Sequence, residues 1–131
     1  MKVVKNAGYG GFGLSVKAML LLGELRATPF YVFVPVIDDL HAPPIPWDGV
    51  TEPPLGLYYY NTTENWVEGA SISPSDTPRD DPHLVRIVEE LGELANGPFA
   101  DLVIVDIPDD VKWCIDEYDG AETIREEHRS W

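Results

Sequence analysis

The chain is predicted to form one α/β or α+β domain over residues 1–131, with two main helices packed on a mixed sheet of four to five strands and an irregular proline-rich loop at 38–56. Three observations predict this. Two stretches repeat apolar residues at helical spacing, several short β-branched or aromatic runs separate them, and a hydrophobic content of 44% in 131 residues can supply one core.

Val3 and Val4 make Met1–Lys5 a short strand. Asn6-Ala7-Gly8-Tyr9-Gly10-Gly11-Phe12-Gly13-Leu14-Ser15 follows as a glycine-rich turn. Glycine admits positive φ and close backbone approach, and Ser15 stands where an N-cap belongs. Leu14, Ala18, Leu21, Leu22 and Leu25 then form a helical stripe that ends before Thr28-Pro29. Phe30–Ile37 reads as a central strand buried on both faces, its ladder stopping near Val34 because Pro35 has no N–H to give.

Five prolines in the nineteen residues from Asp38 to Gly56 predict the irregular loop. Leu57–Tyr60 and Trp66–Ile72 are read as short strands, and Asn61-Thr62-Thr63 is a formal sequon with no meaning in a cytoplasmic chain. The second helix starts at Asp81 as N-cap with Pro82 in its first turn, buries Leu84, Ile87, Val88, Leu91, Leu94 and Ala95, and stops at Asn96-Gly97-Pro98. Leu102–Ile107 and Val111–Tyr118 are strands around a Pro108-Asp109-Asp110 turn, and Asp119-Gly120 is a tight turn. The charged end, Ala121–Trp131, is read as a helix carrying Ile124 and His128 on one side, in preference to an edge strand.

Charge narrows the function. The net charge is −14, with +3 in residues 1–37 and −17 in residues 38–131. Such a balance repels nucleic acid and anionic membranes and favours basic protein partners. No segment has the pattern of a signal peptide and no run reaches membrane-spanning length, so a cytoplasmic location is expected. The lone Cys114 has no thiol partner within the chain, and no motif calls for a cofactor.

Three stretches resemble a family of small uncharacterised proteins of bacteriophages and prophages. They are Tyr9-Gly10-Gly11-Phe12-Gly13-Leu14-Ser15; Pro78 to Gly97; and Ile107 through Glu117-Tyr118-Asp119-Gly120 to His128-Arg129-Ser130-Trp131. The resemblance implies a phage-encoded accessory protein and brings no activity with it. Gly8 stands where members of that family carry a cysteine, which argues against thiol chemistry as a shared function.

Four candidate sites emerge. Asp109, Asp110, Asp116, Glu117 and Asp119, with Trp131, form an acidic partner surface suited to a basic host protein. Tyr9, Gly10, Gly11, Phe12 and Ser15, with Lys5, Lys17 or Arg129 nearby, could hold a nucleotide-like anion at a helix N-terminus, although the glycine spacing matches neither the dinucleotide nor the P-loop pattern. His128 is the one general acid–base candidate, for a small hydrolase. Asp80 and Asp81 read as a helix cap with Arg79 paired locally in the same cluster, with a divalent cation as the sharper alternative. The leading expectation is non-catalytic binding to a basic host protein.

Overall fold

A computed structural model describes residues 1–36, 38–39, 41–53 and 56–127. Strand β1 (Lys2–Asn6) runs antiparallel to β6 (Leu102–Asp106), with Val4 opposite Ile104. Helix α1 (Val16–Leu25) and helix α2 (Pro82–Leu91) pack together, and α2 also covers the β1–β6 pair. A second sheet has the order β3 (Ile45–Pro46), β2 (Tyr31–Val34), β4 (Tyr59–Asn61) and β5 (Ser71–Ile72). Strands β7 (Trp113–Tyr118) and β8 (Ala121–Glu126) form a hairpin that touches β1. The α+β class holds: two helices pack with antiparallel sheets of two to four strands.

The core is where the two helices meet strand residues: Val4, Ala18, Met19, Leu22, Leu84, Ile87 and Leu102 are buried together with Phe30 and Tyr60. Both helix starts are as expected. The Ala18 N–H donates to Ser15 Oγ, and the His83 and Leu84 N–H groups donate to Asp81 Oδ1. Gly23 lies where a Cβ would sit 2.9 Å from the Thr28 carbonyl oxygen, so the chain leaving α1 folds back against its own last turn.

Several expectations are corrected. The end of the chain is strand rather than helix through Glu126, because each residue from Ala121 pairs with β7 across the Asp119-Gly120 turn. That turn has φ of +50° and +85° at its two central residues, the conformation that suits a tight hairpin. Helix α2 stops at Leu91 instead of Asn96: Gly92 adopts φ +56°, a tighter turn follows to Ala95, and Leu94 is exposed. Strand β2 lies inside its sheet but is not buried on both faces: of its four residues only Phe33 is buried, Val32 and Val34 on the other face are half-buried, and Tyr31, on the same face as Phe33, is exposed. The proline-rich loop contains an ordered strand, β3. Asn61 is fully buried, giving its amide N–H to the Val67 carbonyl and taking the Thr63 N–H, so the formal sequon has a packing role. Among the described residues, no helix is long and apolar enough to cross a membrane.

Candidate functional site

The glycine turn meets two other turns at one end of the molecule, and Asn6 joins all three. Its amide Nδ2 donates to the Gly8 and Gly120 carbonyls, while its Oδ1 accepts the Gly8 and Asp101 N–H groups. The Asn6 backbone N–H goes to Glu122 Oε1. Glu122 also forms an ion pair with Arg79, whose guanidinium lies 3.6 Å from the centre of the Phe12 ring. Only 5% of the Glu122 side chain and 14% of the Arg79 side chain are exposed, so this pair is a structural clamp between α2's approach, the glycine turn and the hairpin. Arg79 is therefore paired across the fold, whereas a local partner in its own acidic cluster was expected.

The glycines serve the same junction. A Cβ at Gly10 would overlap the Phe99 backbone, one at Gly120 would overlap the Tyr9 carbonyl, and one at Gly97 would sit 2.8 Å from the Gly13 carbonyl carbon. At Gly97 and Gly120 the atoms met are all backbone, and at Gly10 they are the Phe99 Cβ and carbonyl, so no flexible side-chain end can give way to relieve them. Gly11 differs, with φ +89° and open space around it.

Beside this junction lies a cleft of about 280 Å³ walled by the glycine turn, Tyr58, Tyr60, Pro98 and Phe99. It continues towards Ser15 and Lys17 as a second hollow of about 470 Å³. Among the described residues no cation lines the first part, and Lys17 is the one that lines the second. The Ser15 N–H is held by the Ala95 carbonyl and its hydroxyl donates to the Leu94 carbonyl, so two carbonyl oxygens stand where an anion would need donors. Lys5, on β1 opposite Val103, is not part of the cleft wall.

The rim of this end is aromatic and acidic. Tyr9, Phe99 and Tyr118 are 75%, 83% and 76% exposed. Phe99 is held at φ +77°, a region a bulky side chain avoids. The candidate acidic residues do not share one end: Asp116 pairs with Arg125, which holds its carboxyl below the usual range, while Asp109 pairs with the Met1 ammonium, with the same effect, at the far end of β1 from Asn6. Among the described residues, Asp110, Glu117 and Asp119 are exposed and have no ion-pair partner.

Asp81 is taken by α2's first turn and by Arg26. Partial burial raises its pKa, but the Arg26 and helix N–H contacts outweigh that and leave it lowered. Asp80 is exposed beside it, and among the described residues no group of three or more metal-ligating side chains converges. His128, Arg129 and Trp131 lie outside the described residues.

Sequence reasoning missed Asn6, Phe99 and Glu122 as organising residues. The Asn6-x-Gly8 pair was a legible turn signal. Nothing local marks a glutamate in a charged strand as buried, or the residue after Pro98 as left-handed. No protein-family model, curated protein or solved structure matches this chain.

Proposed function

We propose that the chain is a non-catalytic binding protein that docks a basic protein through the end where the glycine turn, the Pro98-Phe99 turn and the hairpin tip meet. Phe99 carries this reading. A large aromatic side chain, 83% exposed and fixed in a strained backbone conformation at φ +77°, adds little to the fold and much to a potential contact. Tyr9 and Tyr118 supply further aromatic area at the same end, and Glu117 and Asp119 supply a charged rim that would steer a basic partner. The resemblance to phage-encoded proteins makes a protein of the bacterial host the natural partner.

The test separates binding from folding. Phe99→Gly relieves the backbone and should leave the melting temperature unchanged or raised, while Glu117→Gln with Asp119→Asn removes rim charge. The intact chain, immobilised, should retain a basic protein from bacterial lysate at low salt and release it near 1 M salt, where the screening length is about 3 Å. Phe99→Gly should lose that protein. Equal retention by the variant, or release that ignores salt, would overturn the proposal.

A further inference from the structure

The structure points to a second recognition site, beyond the hairpin-end reading: we propose that the groove formed by the proline-rich loop binds an arginine side chain of a peptide. The groove, about 320 Å³, has apolar walls from Val34, Ile45, Pro46 and Trp47 and three carboxylates, Asp38, Asp48 and Glu52, around it. Its volume is near the lower end of the roughly 300–1,000 Å³ typical of ligand pockets. A single long side chain fits that scale better than a whole cofactor does.

The walls are built rather than incidental. Strand β3 sets Ile45 opposite Val34, and the Trp47 N–H donates to the Val32 carbonyl at 3.0 Å, which continues the ladder past Pro46. The indole Nε1–H donates to the Thr51 carbonyl at 2.8 Å, and the ring meets Tyr58 edge-on at 5.3 Å. Asp48 in turn accepts the Val50 and Thr51 N–H groups and the Thr51 hydroxyl, which folds the 48–51 turn back over Trp47. These contacts, the Thr51 hydroxyl first, hold the Asp48 carboxyl below its usual range. Asp48 thus carries its charge as part of the scaffold.

The chemistry of the occupant follows from the wall and the charge together. An apolar wall alone would take any aliphatic group, but here Asp38 and Glu52 are exposed at its edge, and among the described residues no cation pairs with either. The complement is a long apolar stem ending in a positive charge. Between the two such side chains, arginine suits an indole better: its guanidinium is planar, weakly hydrated and stacks on aromatic rings. Anions are repelled by the same carboxylates.

The experiment uses the intact chain, uniformly ¹⁵N-labelled, with the Trp47 indole resonance identified by its loss in Trp47→Phe. The probes are two peptides of the same length, one with a central arginine and one with citrulline, which keeps the shape and lacks the charge. The arginine peptide should move the Trp47 resonance in a saturable way and the citrulline peptide should bind at least about tenfold more weakly, a difference near 1.4 kcal/mol. Glu52→Gln with Asp38→Asn, two exposed substitutions, should bring the arginine peptide to the citrulline level without moving the melting temperature. No movement of Trp47, or equal binding of both peptides, would overturn the inference. An arginine peptide that shifts only residues around Phe99 and Glu117 would overturn it too, and would leave the hairpin-end proposal standing.

Discussion

Two irregular stretches of this chain, the glycine-rich 7–14 and the proline-rich 41–53, are opposite in use. The glycine stretch has the outline of a ligand loop, yet its backbone is committed to the protein: Gly10 against Phe99, Gly13 against Gly97, and the neighbouring Gly120 against Tyr9. The proline stretch has the outline of filler, yet it folds on Asp48 and Trp47 and leaves an apolar groove open. Glycines that let two backbones touch leave nothing between them for a ligand.

This contrast predicts that the largest losses come from the glycine-turn junction. Glu122→Ala strands the Arg79 guanidinium in a setting where the pair is mostly buried, and removal of one partner of such a pair typically costs about 3–5 kcal/mol. Denaturant unfolding should show that loss. Arg79→Met together with Glu122→Leu should recover part of it, since apolar replacement of both partners removes the unpaired charge, while the buried Asn6 N–H stays without its Glu122 partner at about 1–3 kcal/mol. If Glu122→Ala is neutral, the junction is not the clamp described here.

Asn6→Ala comes next. It leaves the Asp101 N–H and the Gly120 carbonyl without their partner, at about 1–3 kcal/mol for each buried group left unmade. Amide exchange should rise at Asp101 before it rises in α2. Within the glycines the contrast sharpens further. Gly11→Ala meets open space and only a left-handed φ, about 1–2 kcal/mol, whereas Gly10→Ala collides with Phe99 and Gly120→Ala combines a left-handed φ with a collision against backbone, so both should lose more. Equal effects at Gly10 and Gly11 would remove the case for a backbone junction.

How far the sequence reveals this can be argued residue by residue. Both helix starts were legible because Ser15 and Asp81-Pro82 are local signals, and the Asp119-Gly120 turn was legible for the same reason. The end of the chain was not: Ala121–Glu126 has too few apolar residues to show a period of two, and its strand state comes from pairing with β7. Glu122 is buried because Arg79 and Asn6, 43 and 116 residues away, reach it. No window of sequence contains that fact. The candidate acidic surface was legible as charge, while the exposed aromatic beside it, Phe99, sits in a left-handed backbone conformation packed against Gly10, which is 89 positions earlier in the chain.

A smaller effect tests the electrostatics through pH. Asp81 has its pKa lowered in the folded state, with Arg26 and the helix N–H groups outweighing desolvation. A carboxylate lowered by folding stabilises above its unfolded value, about 3.9, and loses that contribution as pH falls through the folded value. Asp81→Asn keeps a cap for the helix and removes the ion pair. Its melting temperature should therefore lie below that of the parent at pH 7, and the gap should close as the pH drops below about 4. A gap that persists at pH 2 would assign the loss to capping geometry instead of charge.

The smallest effect belongs to the proline-loop groove, and its smallness is the point. Asp38 and Glu52 stand exposed at the rim, and Asp48 is held by hydrogen bonds that do not involve them. Neutralising both with Asp38→Asn and Glu52→Gln removes like-charge repulsion and no contact that supports the fold. Surface changes of this kind fall within about 0.5 kcal/mol of zero, a shift of a degree or two in melting temperature for a domain this size. If stability drops as far as it does for Gly11→Ala, those carboxylates support the loop, and the contrast between a closed glycine turn and an open proline groove fails. If stability holds or rises slightly, the charges are free of structural duty, as charges held ready for a cationic side chain would be.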